Sequence, residues 1–218
     1  MGLLVNQGLG VISALAICCS IWSCHSPTKP SSFVVPQPPT DAIRAATTGK
    51  QSYEKLIIND KHARELGFDS RADAADSTIG FGAPFALVLV NIEMLKTYHP
   101  SIPPETLISF SNEFLFPIKS DVSGVTNSSV TVLELTNSPI NEKWKPVEWG
   151  KHGLIRLLDR TRQSSGSPNT SFALWIPALG RYFLGMIEKG SFLIIPLYDE
   201  IAYGFITGKP LRGEEDFT

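Results

Sequence analysis

Six short apolar runs fill the second half of this chain, and they restrict its fold more than any other feature. EFLFPIKS (113–120), SSVTVLEL (128–135) and KWKPVEW (143–149) are parted by Gly124 and by Asn137-Ser138-Pro139. SFALWIP (171–177), RYFLGMI (181–187) and SFLIIPL (191–197) follow, the last two joined by Glu188-Lys189-Gly190. Runs of this length, rich in β-branched and aromatic residues and closed by Gly, Pro, Asn and Ser, read as strands linked by short turns. An antiparallel meander is therefore expected, with Phe116 and Trp175 buried in it. Between the two groups, Lys151 to Gln163 (KHGLIRLLDRTRQ) places Leu154, Ile155, Leu157 and Leu158 at helical spacing, with its arginines facing water.

The first half reads differently. Ser52 to Leu66 carries Tyr53, Leu56, Ile57, Ala63 and Leu66 near one helical face, and Gly67 stands where a helix stops. Ser70-Arg71-Ala72-Asp73 fits a capping box for a second short helix that Gly80 ends. Pro84 to Val90 is a buried-type strand, Ile92 to Tyr98 a brief helix, and Pro103-Pro104-Glu105 another helix start. Phe85-Ala86-Leu87-Val88 recurs as Phe172-Ala173-Leu174-Trp175, a repetition that strands drawn from few apolar residues produce by coincidence. The expected class is α+β: N-terminal short helices, an antiparallel meander sheet, one long helix and a C-terminal group of strands.

At the N-terminus, Met1 to Thr28 contains no Asp, Glu, Lys or Arg, and Leu9 to Trp22 is apolar apart from two serines. Such a run is expected to act as an export signal. Three readings are open at its end. Ile21-Trp22-Ser23-Cys24 resembles a lipobox that would attach lipid at Cys24, a signal peptidase could cut near Ser23 or Ser26, or Leu3 to Trp22 could remain as an anchor. His25 to Thr40 has five prolines and five Ser or Thr, a composition that stays extended and cannot bury a core. A tether directly behind Cys24 favours acylation. Residues 1–23 are thus read as signal or anchor, 24–40 as tether and 41–218 as a single α+β domain long enough for its own core. All three cysteines, Cys18, Cys19 and Cys24, precede that domain, so it carries neither a disulfide nor a thiol nucleophile.

Reactive groups are scattered. Ser52-Tyr53-Glu54-Lys55 matches the S-x-x-K of penicillin-binding enzymes, but without S-D-N or K-T-G it reads as a helix N-cap followed by a solvated lysine. His62, His99 and His152 have no metal-ligand spacing, so neither metal nor cofactor is expected. Gly80-Phe81-Gly82 follows a helix and opens a strand, the reverse of a phosphate loop, and reads as a connector. Net charge is -2 without a basic stripe, so nucleic acid is not an expected partner, and contact with the membrane is expected through the N-terminus only. Trp149, His152 and Tyr182 are the candidate ligand-binding residues: two aromatic surfaces, and a histidine at a helix start beside an aromatic wall.

Several landmarks occur together: Leu66-Gly67-Phe68-Asp69-Ser70, Ile79-Gly80 ahead of Pro84-Phe85, Phe116-Pro117-Ile118, Trp144 with Trp149-Gly150, and Ile176-Pro177 with Arg181-Tyr182-Phe183-Leu184-Gly185. Their order resembles that of uncharacterised exported proteins of bacteria, cyanobacteria among them. The resemblance implies export and a shared fold, and no activity. The expected function is a membrane-tethered, non-catalytic domain of the cell envelope that binds a protein, peptide or small apolar ligand. The competing class is an envelope hydrolase assembled from scattered Ser, His and Asp.

Overall fold

The computed structural model describes residues 33–56, 64–65, 79–97, 99, 104–120, 124–139, 143–166, 170–188 and 191–211. In chain order it contains helix α1 (Thr40–Leu56), strands β1 (Ile79–Phe81) and β2 (Phe85–Val90), helix α2 (Ile92–Lys96) and a 3-10 turn at Pro104–Leu107. Strands β3 (Ile108–Ser120), β4 (Thr126–Glu134) and β5 (Trp144–Gly150) come next, then helix α3 (His152–Ser165). Strands β6 (Ser171–Ile176), β7 (Arg181–Glu188) and β8 (Ser191–Pro196) complete the set, with 3-10 turns at Pro177–Leu179 and Ile201–Tyr203. The fold is α+β with largely antiparallel strand pairing. No described helix is long and apolar enough to cross a membrane. Two compact units divide the chain: Val35–Leu87 with Ser111–Asn169, and Val88–Phe110 with Thr170–Thr218 and the residues through Val34.

In the first unit β4 is central, pairing antiparallel with β3 (Phe116 opposite Val130) and with β5 (Val130 opposite Trp149). This is the expected meander, and β1 takes the other edge of β3 through Phe81 and Ile118. Phe114, Leu115, Phe116 and Ile118 are all buried, so β3 is covered on both faces and its apolar run has no polar alternation. Helix α1 packs on β4 and β5 and α3 packs on β4. The contact stripe of α1 is Ala42, Ala45, Ala46, Gly49 and Tyr53, small residues that let the helix approach the strands closely. At Gly49 a Cβ would stand 2.8 Å from Val130 Cγ1 and 2.9 Å from Pro146 Cβ, so only glycine fits.

Two expectations are corrected here. Helix α1 starts at Thr40, not Ser52, because its buried stripe is alanine and glycine, which a search for large apolar residues passes over. Ser52 is consequently no N-cap: its Oγ donates back to the Thr48 carbonyl at 3.2 Å inside the helix. Gly80 and Phe81 are not a connector, since both are in β1 and pair with Lys119 and Ile118 of β3. Residues 57–63 and 66–78, with the expected capping box at Ser70, lie outside the described residues.

The second unit contains a second antiparallel meander, β6-β7-β8, with Leu184 opposite both Ala173 and Ile195. Its centre is Phe172, which is fully buried and tilts against Phe33 at 5.3 Å and Phe192 at 5.7 Å between ring centres. Gly185 is its cross-strand partner, and a Cβ there would collide with the Phe172 ring. Helix α2 is short but well begun: Asn91 Oδ1 accepts from Glu93 N at 3.0 Å and Met94 N at 3.2 Å.

Candidate functional site

Helix α3 begins immediately after β5. Gly150 (φ 110°) and Lys151 (φ 51°) both have positive φ, and the resulting turn starts the helix across β4. Ile155, Leu158, Asp159 and Arg162 are all buried on this helix at spacings of three, one and three residues, a single helical stripe. The expectation that its arginines face water is therefore corrected at Arg162, which is only 3% exposed, like Asp159. Two opposite charges one turn apart can be buried together when each satisfies the other.

Asp159 is ringed by donors. Its Oδ2 accepts from Thr126 Oγ1 at 2.6 Å, Lys119 Nζ at 2.8 Å and Gln163 Nε2 at 2.9 Å, and its Oδ1 accepts from Arg162 Nη2 at 2.6 Å. Arg162 also donates through Nη1 to the Ala83 carbonyl at 2.8 Å, and its guanidinium sits 3.9 Å from the centre of the Phe85 ring. Lys119 and Thr126 are cross-strand partners just past a register shift at Ile118/Lys119, an irregularity of the kind that re-aims a side chain. Glycine at position 82 leaves room for the stem of Lys119, which a Cβ there would meet at 2.5 Å. Burial pushes the Asp159 carboxyl up, but hydrogen bonds from Lys119, Thr126 and Arg162, with the charge of Lys119, hold it below the ordinary aspartate value. A carboxylate so held has no proton to give and no oxygen left without donors. Its bonds orient Lys119 and Arg162. The group opens on a cavity of about 320 Å³ lined by Ala83, Lys119, Asp159, Arg162, Gln163 and Gly166.

A second cavity, of about 210 Å³, belongs to the second unit. Leu179, Tyr182, Leu197, Tyr198, Tyr203 and Phe205 line it, together with the facing pair Arg181 and Glu200, whose Nη2 and Oε2 are 3.7 Å apart. The segment after β8 folds back to make this wall. Glu200 bridges Phe205, and Asp199 Oδ1 accepts from Thr207 N at 2.6 Å and Thr207 Oγ1 at 2.8 Å, bonds that pull its carboxyl below the ordinary value. Phe205 stands edge-on to Phe183 and Tyr182 stacks on Trp175, with ring centres 5.5 and 4.5 Å apart. Several apolar side chains of this segment are presented outward: Tyr198 is 42% exposed, Ile206 54% and Ile201 95%.

The three expected ligand-binding residues are not all in one unit. Tyr182 lines the second unit's cavity. Trp149 belongs to the first unit, where its Nε1 donates to the Gly49 carbonyl at 2.9 Å and ties β5 to α1. His152 is the exposed first residue of α3, beside the Lys151–Glu148 pair at 2.7 Å. His99 is exposed as well, and His62 and Cys24 lie outside the described residues. The expectation that Trp175 is buried is corrected: it is half-buried, and the cover its ring has includes Tyr182, at 4.5 Å between ring centres. Among the described residues no three His, Cys, Asp or Glu side chains are grouped as metal ligands would be. Compared with known proteins, the chain matches no family model, no curated protein and no solved structure.

Proposed function

We propose that this protein is an exported, membrane-tethered binding domain of the bacterial cell envelope, without covalent or acid-base chemistry of its own. Its ligand seat is the tyrosine-lined cavity around Tyr182. The observation that carries the reading is the composition of that cavity: three tyrosines, two phenylalanines and two leucines beside one facing Arg-Glu pair. Tyrosine offers a large rigid face with a polar tip at low entropic cost, which is why it serves recognition surfaces. The ligand class is a peptide or protein segment that inserts an apolar side chain and meets Arg181 and Glu200 with its backbone. Exposed Ile201 and Ile206 extend the apolar surface beside the opening.

Two of the groups that a hydrolase would recruit are engaged otherwise. Ser52 donates to its own helix, Asp159 is saturated with donors, and His99 and His152 are exposed. Acylation at Cys24 completes the reading, with the Pro- and Ser-rich residues 24–40 as a tether whose far end is already fastened, by Phe33 against Phe172 and by Thr40 at the start of α1.

The test uses the full-length protein in mild detergent, titrated with phenol, indole and cyclohexanol while its amide and aromatic NMR signals are followed. Shifts centred on Tyr182, Tyr198 and Tyr203, lost in Tyr203→Ser, are expected; shifts confined to other residues would overturn the assignment of the seat. For the tether, mass spectrometry of the membrane fraction should find a lipid-modified N-terminus at Cys24, and Cys24→Ala should release or stall the protein. An N-terminus at another residue without lipid mass removes that half of the proposal.

A further inference from the structure

The charged cavity of the first unit has a surplus that its own packing does not require. Asp159 and Arg162 already form a neutral pair at 2.6 Å, and Thr126 and Gln163 supply two more donors to the same carboxylate. Lys119 brings a further charge to an oxygen that already accepts two hydrogen bonds, so among the described residues of this cluster Lys119 and Arg162 carry two positive charges against one negative. Taking a cation partly out of water is costly when no counter-charge balances it. Lys119 helps to hold the Asp159 carboxylate, but a neutral donor at position 119 would supply the same hydrogen bond without bringing a second cation. Moreover, Lys119 is reachable: 24% of its side chain is exposed, and the cavity is lined by the exposed residues Ala83, Gln163 and Gly166 as well as by the charged group. Among the described residues Asp159 is its only polar partner, so two of its three N–H donors remain for something else.

We propose that this cavity, floored by Lys119, Asp159 and Arg162, binds the oxyanion head of a small organic anion, a carboxylate or a phosphate monoester. Lys119 supplies the neutralising charge and Gln163 a second donor at the mouth. Asp159 is a positioning residue, fixing the lysine and the arginine so that neither must be ordered when the anion arrives. Ala83 and Gly166 leave an uncharged wall for the rest of the ligand. A volume of about 320 Å³ suits a molecule of small-metabolite size.

The experiment is calorimetry and thermal melting of the full-length protein in mild detergent, with inorganic phosphate and hexanoate as separate probes. Saturable binding of either supports the seat, and the tighter of the two identifies the head group. Lys119→Gln, which keeps a donor for Asp159 but removes the charge, should weaken binding by about tenfold or more. Because that variant disturbs a buried group and could fold poorly, Ala83→Phe provides an independent arm. It fills the mouth without touching the charges, and should abolish binding while leaving the circular dichroism spectrum unchanged. Arg181→Gln, in the other cavity, should bind as the parent does. The proposal is overturned if neither anion binds up to about 10 mM, or if binding survives Ala83→Phe in a folded protein.

Discussion

The two units bury their interiors by different means. Every described residue that is both buried and polar or charged, from Ser120 and Thr126 to Asp159 and Arg162, belongs to the first unit, with Ser171 as the single exception in the second. The first unit holds its helices on the sheet with directional bonds: Tyr53 against Ser128, Trp149 to Gly49, and the donors around Asp159. The second holds its strands with rings stacked around Phe172 and with Gly185 as the space they need. Directional bonds fix where a helix sits, because every other placement leaves a buried polar group unpaired. Ring packing fixes shape alone, and it leaves the polar aromatics of the second unit, Tyr182, Tyr198 and Tyr203, around an open cavity.

The largest effect expected from this contrast is at Asp159. Replacing it with Ala strands Arg162 and Lys119 without a counter-charge and should cost about 3–5 kcal/mol in urea unfolding. The double variant Asp159→Leu with Arg162→Met removes one charge of each sign from the buried helix face and leaves the partly exposed Lys119 to turn to water, so it should recover part of that loss; a double variant as unstable as the single one would break the argument. The pH dependence has a definite sign. Because the Asp159 carboxyl is held below its ordinary value, its contribution is present above the unfolded pKa of about 3.9 and is lost as pH falls through the lower folded value. Glu113 runs the other way. Burial and the nearby Glu148 raise its carboxyl, against the charge of Lys151, so its contribution is present at low pH and is lost as pH rises through the raised value. The acid limb of the stability curve should therefore flatten in the double variant.

A smaller effect is expected in the second unit. Gly185→Ala drives a methyl into the Phe172 ring, and overpacking of this kind should cost about 1–3 kcal/mol. The ring can relieve the clash only by displacing Phe33 or Phe192. Differential scanning calorimetry of Gly185→Ala alone and combined with Phe172→Leu separates the cases, since the smaller side chain should restore part of the loss. A Gly185→Ala protein that melts with the parent would mean that Phe172 is not packed against position 185.

Where these differences could be read from the sequence follows from their physics. The strands were legible because apolar runs bounded by Gly, Pro and Asn have few other uses, and the pairing of β3 with β4 and of β7 with β8 follows directly from short connections. Helix α1 was misplaced because its packing face is Ala42, Ala45, Ala46 and Gly49, residues whose burial carries no strong hydrophobic signature. The charged cluster was missed for a related reason. In α3 the stripe Ile155, Leu158 continues onto Asp159 and Arg162 at unchanged spacing, and a search that stops at the last leucine ends one turn short. Lys119 and Thr126 could not have been added from sequence alone, since only the register of β3 on β4 brings them to the same carboxylate. Tyr182 was legible as an aromatic on a strand, whereas its neighbours Tyr198 and Tyr203 depend on the segment after β8 folding back through Asp199 and Thr207.

The smallest effect on stability should come from that same segment. Ile201 is 95% exposed at the start of a 3-10 turn, so it contributes almost nothing to the folded state that it does not also contribute to the unfolded one. Ile201→Ser should shift stability by less than about 0.5 kcal/mol, in contrast to any change at Asp159. A large β-branched side chain kept in water at the rim of a tyrosine-lined cavity is understandable if a partner covers it, and the variant tests that directly. Paired measurements are needed: the melting temperature of the full-length protein, and its NMR response to the fragment panel together with a short apolar peptide. An unchanged melting temperature with weakened peptide binding is the expected result. A clear loss of stability would show that Ile201 is packed rather than exposed, and unaltered peptide binding would limit the seat to the cavity itself, excluding the surface beside it.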